Sequence, residues 1–264
     1  HEPVRENEVI RRVGLARVLS KLGYCSRSQA AEMIRAGRVS LNGKIKKDPE
    51  TPVSEAQNHI AVDGKIIEPL PRIYLIMNKP RGVLTTASDE KGRETVYALL
   101  SDFCRNKSSG TKKIPPWLAP VGRLDKASEG LLLLTNDSEW AALVTAPQSH
   151  LEKTYHVQVG TVADEEFIQK LVRGVRTKDE DMLRAKQARL LRTGQRNCWL
   201  EIVLDEGKNR QIRRLMAGTG IEVLRLIRVA IGALQLGDLA KGEYRALTLE
   251  EKRMLDCALR KKTS

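Results

Sequence analysis

Residues 121–136 read Val-Gly-Arg-Leu-Asp-Lys-Ala-Ser-Glu-Gly-Leu-Leu-Leu-Leu-Thr-Asn. Asp125 stands in a turn flanked by Gly122 and Gly130, and the four leucines 131 to 134 read as a strand buried in a core. A carboxylate at the edge of such a strand has to be oriented and partnered, because an unpaired charge beside apolar surface is strongly unfavourable. Asp125 is therefore the first candidate for chemistry.

Downstream, residues 152–159 alternate as a strand does and carry Tyr155. Ile202 and Leu204 close another strand, Asp205-Glu206-Gly207 turns, and a helix follows with Ile212, Leu215 and Met216 on its apolar side. Arg210, Arg213 and Arg214 are its basic residues. Upstream, residues 73–77 form an apolar strand that runs into Asn78-Lys79-Pro80-Arg81-Gly82. Two polar stretches, 86–94 and 105–116, carry Gly, Ser, Pro and Lys and read as exposed loops.

The N-terminal part follows another pattern. Leu15, Ala16, Leu19 and Leu22 have helical spacing up to Gly23. Ser26 and Gln29 predict a capping box for a second helix, whose apolar side is Ala30, Met33 and Ile34 and whose end is Gly37. Asn42-Gly43 and Asp63-Gly64 are hairpin signals between short alternating runs. Glu68-Pro69-Leu70-Pro71-Arg72 reads as a stiff linker, since its two prolines forbid a continuing helix.

Lys and Arg number 46 against 33 Asp and Glu, a formal net charge of +13 that attracts polyanions. Ten of those cations, with Glu32 as the sole acid, fall in residues 11–47. That concentration predicts a docking face for RNA built from Arg17, Lys21, Arg27, Arg35, Arg38, Lys44, Lys46 and Lys47. Cys25, Cys104, Cys198 and Cys257 are far apart and share no ligand spacing with His59, His150 or His156, so neither a disulfide nor a metal site is expected. No Gly-rich phosphate loop or His-Glu-x-x-His run is present, and no cofactor is expected. There is no apolar run of membrane-spanning length and no leader pattern, which predicts a cytoplasmic protein; the start at His1 reads as a longer frame or a tag remnant.

The stretch through Gly122, Arg123, Leu124, Asp125, Gly130, Leu131, Leu132, Thr135, Asn136 and Asp137 resembles the signature of the RsuA-type ribosomal RNA pseudouridine synthases. Asn78 to Gly82, Lys153-Thr154-Tyr155, Gly207 to Met216, Leu224 to Gly232 and Gly242-Glu243-Tyr244-Arg245 are similar to further segments of that family. Ser26-Arg27, Gly37-Arg38-Val39 and Asn42-Gly43 resemble the S4 RNA-binding domain. Together the likeness spans residues 13 to about 250.

The resemblance implies an α+β fold: a mixed, mainly antiparallel pseudouridine synthase sheet with flanking helices, preceded by a small αL-type, S4-like RNA-binding domain. We place the latter at residues 11–68, the linker at 69–72 and the catalytic domain at 73–260. It further implies isomerisation of uridine to pseudouridine in ribosomal RNA without cofactor, with a lean toward the large subunit, on a stem-loop or pre-ribosomal particle; a monomer is the default expectation, since the sequence does not encode the oligomeric state. Asp125 is then the carboxylate that either attacks a carbon or stabilises charge at the anomeric carbon and removes the 2′ proton, and both routes stay open. Tyr155 is expected to stack on the uracil and Arg213 to pair with Asp125. Arg123 is expected to contact phosphate or fill the space of the extruded base. Lys79 is taken as a substrate contact, Leu226 and Ile227 as the apolar wall, and Arg210 and Arg214 as facing RNA phosphate. Two rival readings are a noncatalytic ribosome-assembly factor and a nucleoside glycosidase.

Overall fold

The computed structural model describes residues 12–54, 59–86, 91–106 and 117–261. The chain divides into two compact units, one built mainly from residues up to Ile73 and the other from Tyr74 onward. Asn136–Glu139 belongs with the first unit although it comes after the Asp125 stretch in sequence.

In the first unit the helix Leu15–Lys21 buries Leu15, Ala16 and Leu19. The helix Arg27–Arg35 opens on the expected box: the Gln29 amide donates to Ser26 Oγ at 3.1 Å and the Ser26 amide to Gln29 Oε1 at 2.9 Å. Their inner faces meet Val39, Leu41, Val53 and Ile60 in one core. A four-stranded sheet runs in the order Lys44–Ile45, Val39–Leu41, Ile60–Val62, Lys65–Ile66. Both hairpins turn on two left-handed residues, Asn42 and Gly43 at φ 51° and 81°, and Asp63 and Gly64 at 49° and 78°. Such paired positive φ values match the twist of the flanking strands, which is why Asn-Gly and Asp-Gly occupy them.

The proline segment is tied down rather than free. Leu70 donates its amide to the Leu22 carbonyl at 3.0 Å, and Tyr24 Oη donates to the Glu68 carbonyl at 2.7 Å. Fully buried Asn136 clasps the end of the segment, accepting from the Ile73 amide and donating to the Pro71 carbonyl.

The second unit is built on a mixed sheet. Along its main path the strands are Gln187–Thr193, Cys198–Leu204, Lys153–Val159, Val223–Ile231, Glu129–Thr135, Tyr74–Lys79 and Tyr244–Ala246. Neighbours along this path are antiparallel except Val223–Ile231 beside Glu129–Thr135, which run parallel. The four leucines are fully buried. Leu131 and Leu133 face a core with Ile76, Trp140, Ile231 and Leu255, whereas Leu132 and Leu134, one residue out of phase, face the other side. A second core gathers Val157, Leu200, Ile202, Ile212, Leu215 and Leu226. Arg105 and Asn106 belong to the short helix Ser101–Asn106 rather than to a loop. The remainder of the expected 105–116 loop and residues 87–90 lie outside the described residues. No described helix is long and apolar enough to cross a membrane.

Gly130 is where the parallel pair closes on the Asp125 stretch. It adopts φ +106°, and a Cβ there would lie 2.2 Å from the Arg228 carbonyl oxygen and 2.8 Å from its amide nitrogen. Neither obstacle can move without breaking the strand pair. Gly130→Ala is therefore expected to cost at least about 3 kcal/mol, whereas Gly43→Ala, also left-handed but with nothing nearby, should cost about 1–2 kcal/mol. Urea denaturation of the two variants measures the difference, and equal losses would refute the steric account.

Candidate active site

The Asp125 turn is held from below by the segment after the strand Tyr74–Lys79. Lys79 is fully buried and its ammonium donates to the Ser128 carbonyl at 2.7 Å and the Pro80 carbonyl at 3.0 Å, with the Lys126 carbonyl at 3.5 Å. The Gly82 amide donates to the Lys126 carbonyl at 2.7 Å, and the buried Thr85 hydroxyl to the Leu124 carbonyl at 2.8 Å. Ser128 closes the turn by donating its amide to the Asp125 carbonyl at 2.9 Å. The backbone acceptors around Asp125 are thus largely met from inside, leaving the side chain to point elsewhere. This corrects the expectation for Lys79: it lies beneath the turn, buried from substrate.

Above the turn lies a cavity of about 620 Å³. Asp125, Arg123 and Ser128 line it from the motif, Lys153 and Tyr155 from one strand, and Leu226 and Arg228 from the next. Gln211, Ile212 and Arg213 line it from the helix Gln211–Gly218. Ile227 is one residue out of phase with Leu226 and is absent from the lining, so of the two only Leu226 contributes to the apolar wall, together with Leu204, Ile212 and Ile231.

The helix reaches the cavity through its first turn. Its apolar side, Ile212, Leu215 and Met216, is buried in the sheet core. Buried Gln211 secures the preceding turn: its side-chain amide donates to Glu206 Oε1 at 2.8 Å and accepts from the Lys208 amide at 3.2 Å. Arg210 takes the N-cap position with a left-handed φ of 50°, which directs its side chain out of the helical sequence of directions.

It is Arg210 that pairs with Asp125, Nη1 to Oδ2 at 2.9 Å. Arg213, the partner expected from the sequence, instead donates from Nη2 to Ser128 Oγ at 3.3 Å. Burial and the nearby Arg210 cation hold the Arg213 guanidinium below its ordinary value, with Asp125 pulling the other way. Arg213 thus stands within electrostatic reach of Asp125 without bonding to it. The Arg210–Asp125 pair is partly exposed and contributes little to stability; its consequence is orientation of the carboxylate. Arg214, expected to meet phosphate, pairs with Asp181 and Asp179.

On the opposite face of the sheet Glu129 is buried. Burial pushes its carboxyl up, and Arg225, which binds it bidentately at 2.9 and 3.1 Å, with Lys241 more than reverses this, leaving it below the ordinary value. Sequence reasoning missed Ser128, Gln211 and Arg228. Two arginines in the otherwise apolar run 223–231 were the signal for the last.

In the first unit Arg17, Lys21, Arg27 and Arg35 line one groove together with Arg12. Arg38 is engaged instead by Asp63, Nε to Oδ1 at 3.0 Å and Nη2 to Oδ2 at 2.7 Å. Lys44 and Lys47 are exposed and Lys46 is half-buried, and none of them lines the groove. Among the described residues no group of three or more His, Cys, Asp or Glu is placed to hold a metal ion.

Comparison with known proteins accords with this architecture. Residues 73–218 match the family model of RNA pseudouridylate synthases, and residues 13–57 match the S4 domain. The ribosomal large subunit pseudouridine synthase B of Bacillus subtilis (strain 168) is 36% identical over 243 residues, 91% of this chain and 94% of that protein. An uncharacterized RNA pseudouridine synthase of Aquifex aeolicus (strain VF5) is 34% identical over 240 residues, covering 90% and 92%. A crystal structure of a pseudouridylate synthase superposes with a TM-score of 0.62 at 28% identity, over 92% of this chain and 99% of that one. The chain belongs to the RNA pseudouridylate synthase family and carries an S4 domain; it is an RNA pseudouridine synthase, an isomerase.

Burial pulls the Lys79 ammonium down to about 8 from 10.5, against smaller opposing pulls from Glu129 and Asp125. Between those two values the unfolded chain binds the proton and the folded chain releases it, so this group's contribution makes stability rise with pH across that window. Carbon NMR of the lysine Cε groups is expected to show one titration near pH 8 that disappears in Lys79→Met. Titration of Lys79 with the surface lysines would contradict the clamp.

Proposed function

We propose that the protein converts a specific uridine of ribosomal RNA to pseudouridine, with Asp125 as the reacting carboxylate. The observation that carries this reading is a single motif aspartate, held on a turn braced from beneath, in a cavity whose lining includes Tyr155, Leu226 and the cations Arg123, Lys153, Arg210, Arg213 and Arg228, with Glu206 as its second acid. Such a lining attracts RNA phosphate and offers a ring and an apolar wall to an unstacked base. The carboxylate works on the sugar or base carbon, by covalent attack or by stabilising charge at the anomeric carbon and removing the 2′ proton. Tyr155 stacks on the uracil, and Arg123, exposed at the rim, meets phosphate or the gap the base leaves.

The 11–68 part docks the RNA. Its groove, with Arg17, Lys21, Arg27 and Arg35, supplies sequence-independent attraction, while residues 73–260 carry the chemistry. The name of the Bacillus relative favours the large-subunit RNA. We further take the substrate to be a stem-loop or pre-ribosomal particle in the cytoplasm and the enzyme to be a monomer. Pseudouridine mapping of both ribosomal RNAs with and without the gene, by carbodiimide adducts and reverse-transcription stops, tests this. One stop is expected to vanish from the large-subunit RNA. Unchanged maps, with the gene expressed, would overturn the ribosomal assignment.

A further inference from the structure

The strand Val223–Ile231 carries Arg225 and Arg228 to opposite faces of the sheet. Arg225 is neutralised by Glu129. Arg228 shares its face with Leu226 and lines the Asp125 cavity. It is only 7% exposed, and no acidic partner meets it among the described residues. Its Nε donates to the Leu131 carbonyl at 2.9 Å, which fixes the guanidinium, while Nη2 is enclosed and finds no protein acceptor. Cross-strand register places Arg228 beside Tyr155 on one side and Gly130 on the other. The same strand pairing therefore positions the ring expected against the base and this cation.

An enclosed N–H without a partner is unfavourable, so its place in a cavity wall calls for a ligand acceptor. Of the cations at the facing helix, Arg210 is engaged by Asp125 and Arg213 by Ser128 through Nη2; Arg213 Nε is enclosed and unpartnered as well, but Arg228 is the one that the strand register sets beside Tyr155. We propose that Arg228 is the electrostatic partner of the uracil ring, donating from Nη2 to one of its carbonyl oxygens. There it stabilises the negative charge that the ring gains as the glycosidic bond breaks. This rests on the reading of the cavity as the pseudouridine-forming site.

The chemistry requires such a group. The N1–C1′ bond breaks with its electron pair on the ring, spread over N1, O2 and O4. The C5–C1′ bond then forms, a proton leaves C5 and one arrives at N1, so the product is an isomer and no other reactant is consumed. Asp125 has the sign to stabilise the sugar cation and the wrong sign to stabilise the departing base. Arg228 has the complementary sign.

The test compares full-length enzyme with Arg228→Gln and Arg228→Lys in single-turnover cleavage of the N1–C1′ bond. The substrates are one RNA fragment carrying uridine or 5-fluorouridine at the target, the latter base being the more stable anion. Arg228→Gln is expected to lose about 10²–10³-fold on uridine and markedly less on 5-fluorouridine, with a far smaller change in RNA affinity and partial recovery in Arg228→Lys. Equal losses on both substrates, or no loss, would overturn the proposal. Should Arg228→Gln fail to fold, wild-type enzyme on 2-thio- and 4-thiouridine targets decides. Sulfur is a poor acceptor, so one of the two should react about tenfold more slowly than uridine, and equal rates would overturn the contact. A wild-type enzyme that converts no uridine at all would instead refute the proposed function.

Discussion

Everything at the candidate site depends on one buried cation. The Lys79 ammonium sits below the Asp125 turn and binds the carbonyls of Pro80 and Ser128, so a strand end and a turn 49 residues apart in sequence are held as one piece. Burying a lysine is costly, and its hydrogen bonds to backbone carbonyls offset that cost only in the turn's present geometry. The lysine therefore selects the conformation in which Asp125 faces the cavity. In the proposed reaction, pre-organisation of this kind matters more to catalysis than to stability, since a reacting carboxylate displaced by an ångström loses its geometry.

A second constraint operates from the side. Gly130 lets the strand Val223–Ile231 approach the Asp125 stretch so closely that backbone meets backbone. The same approach brings Leu226 and Arg228 to the cavity and pairs Arg228 with Tyr155 across the sheet. Clamp and close approach together explain what Lys79 in one segment and Asp125 and Gly130 in another contribute to one site. The sheet's opposite face uses its charges differently: Glu129 and Arg225 neutralise each other and leave the cationic field to the cavity side.

Much of this was legible in the residues. The capping box at Ser26, the Asn-Gly and Asp-Gly hairpins, the four-leucine strand and the helix after Gly207 are local signals, and local signals survive folding. Asp125 and Arg123 on one turn and Tyr155 and Leu226 on two strands, each read from a separate motif, line one cavity. The features that were not legible depend on three-dimensional phase. Arg210 rather than Arg213 bonds Asp125 because Arg210 caps the helix in a left-handed conformation, and no spacing rule for a regular helix anticipates that. Lys79 reads as an exposed contact because lysine usually is one; only the carbonyls of a distant turn make its burial tolerable. Arg38 and Arg214 read as phosphate ligands until the fold supplies Asp63 and Asp181.

The central claim is that one carboxylate performs the isomerisation while surrounding cations hold the RNA. It is tested most directly by Asp125→Asn in the full-length enzyme, measuring single-turnover pseudouridine formation and RNA affinity on the same substrate. Conversion is expected to be abolished and affinity retained, because the amide preserves shape and adds no repulsion toward phosphate. Pseudouridine formed at the wild-type rate by Asp125→Asn would contradict the claim.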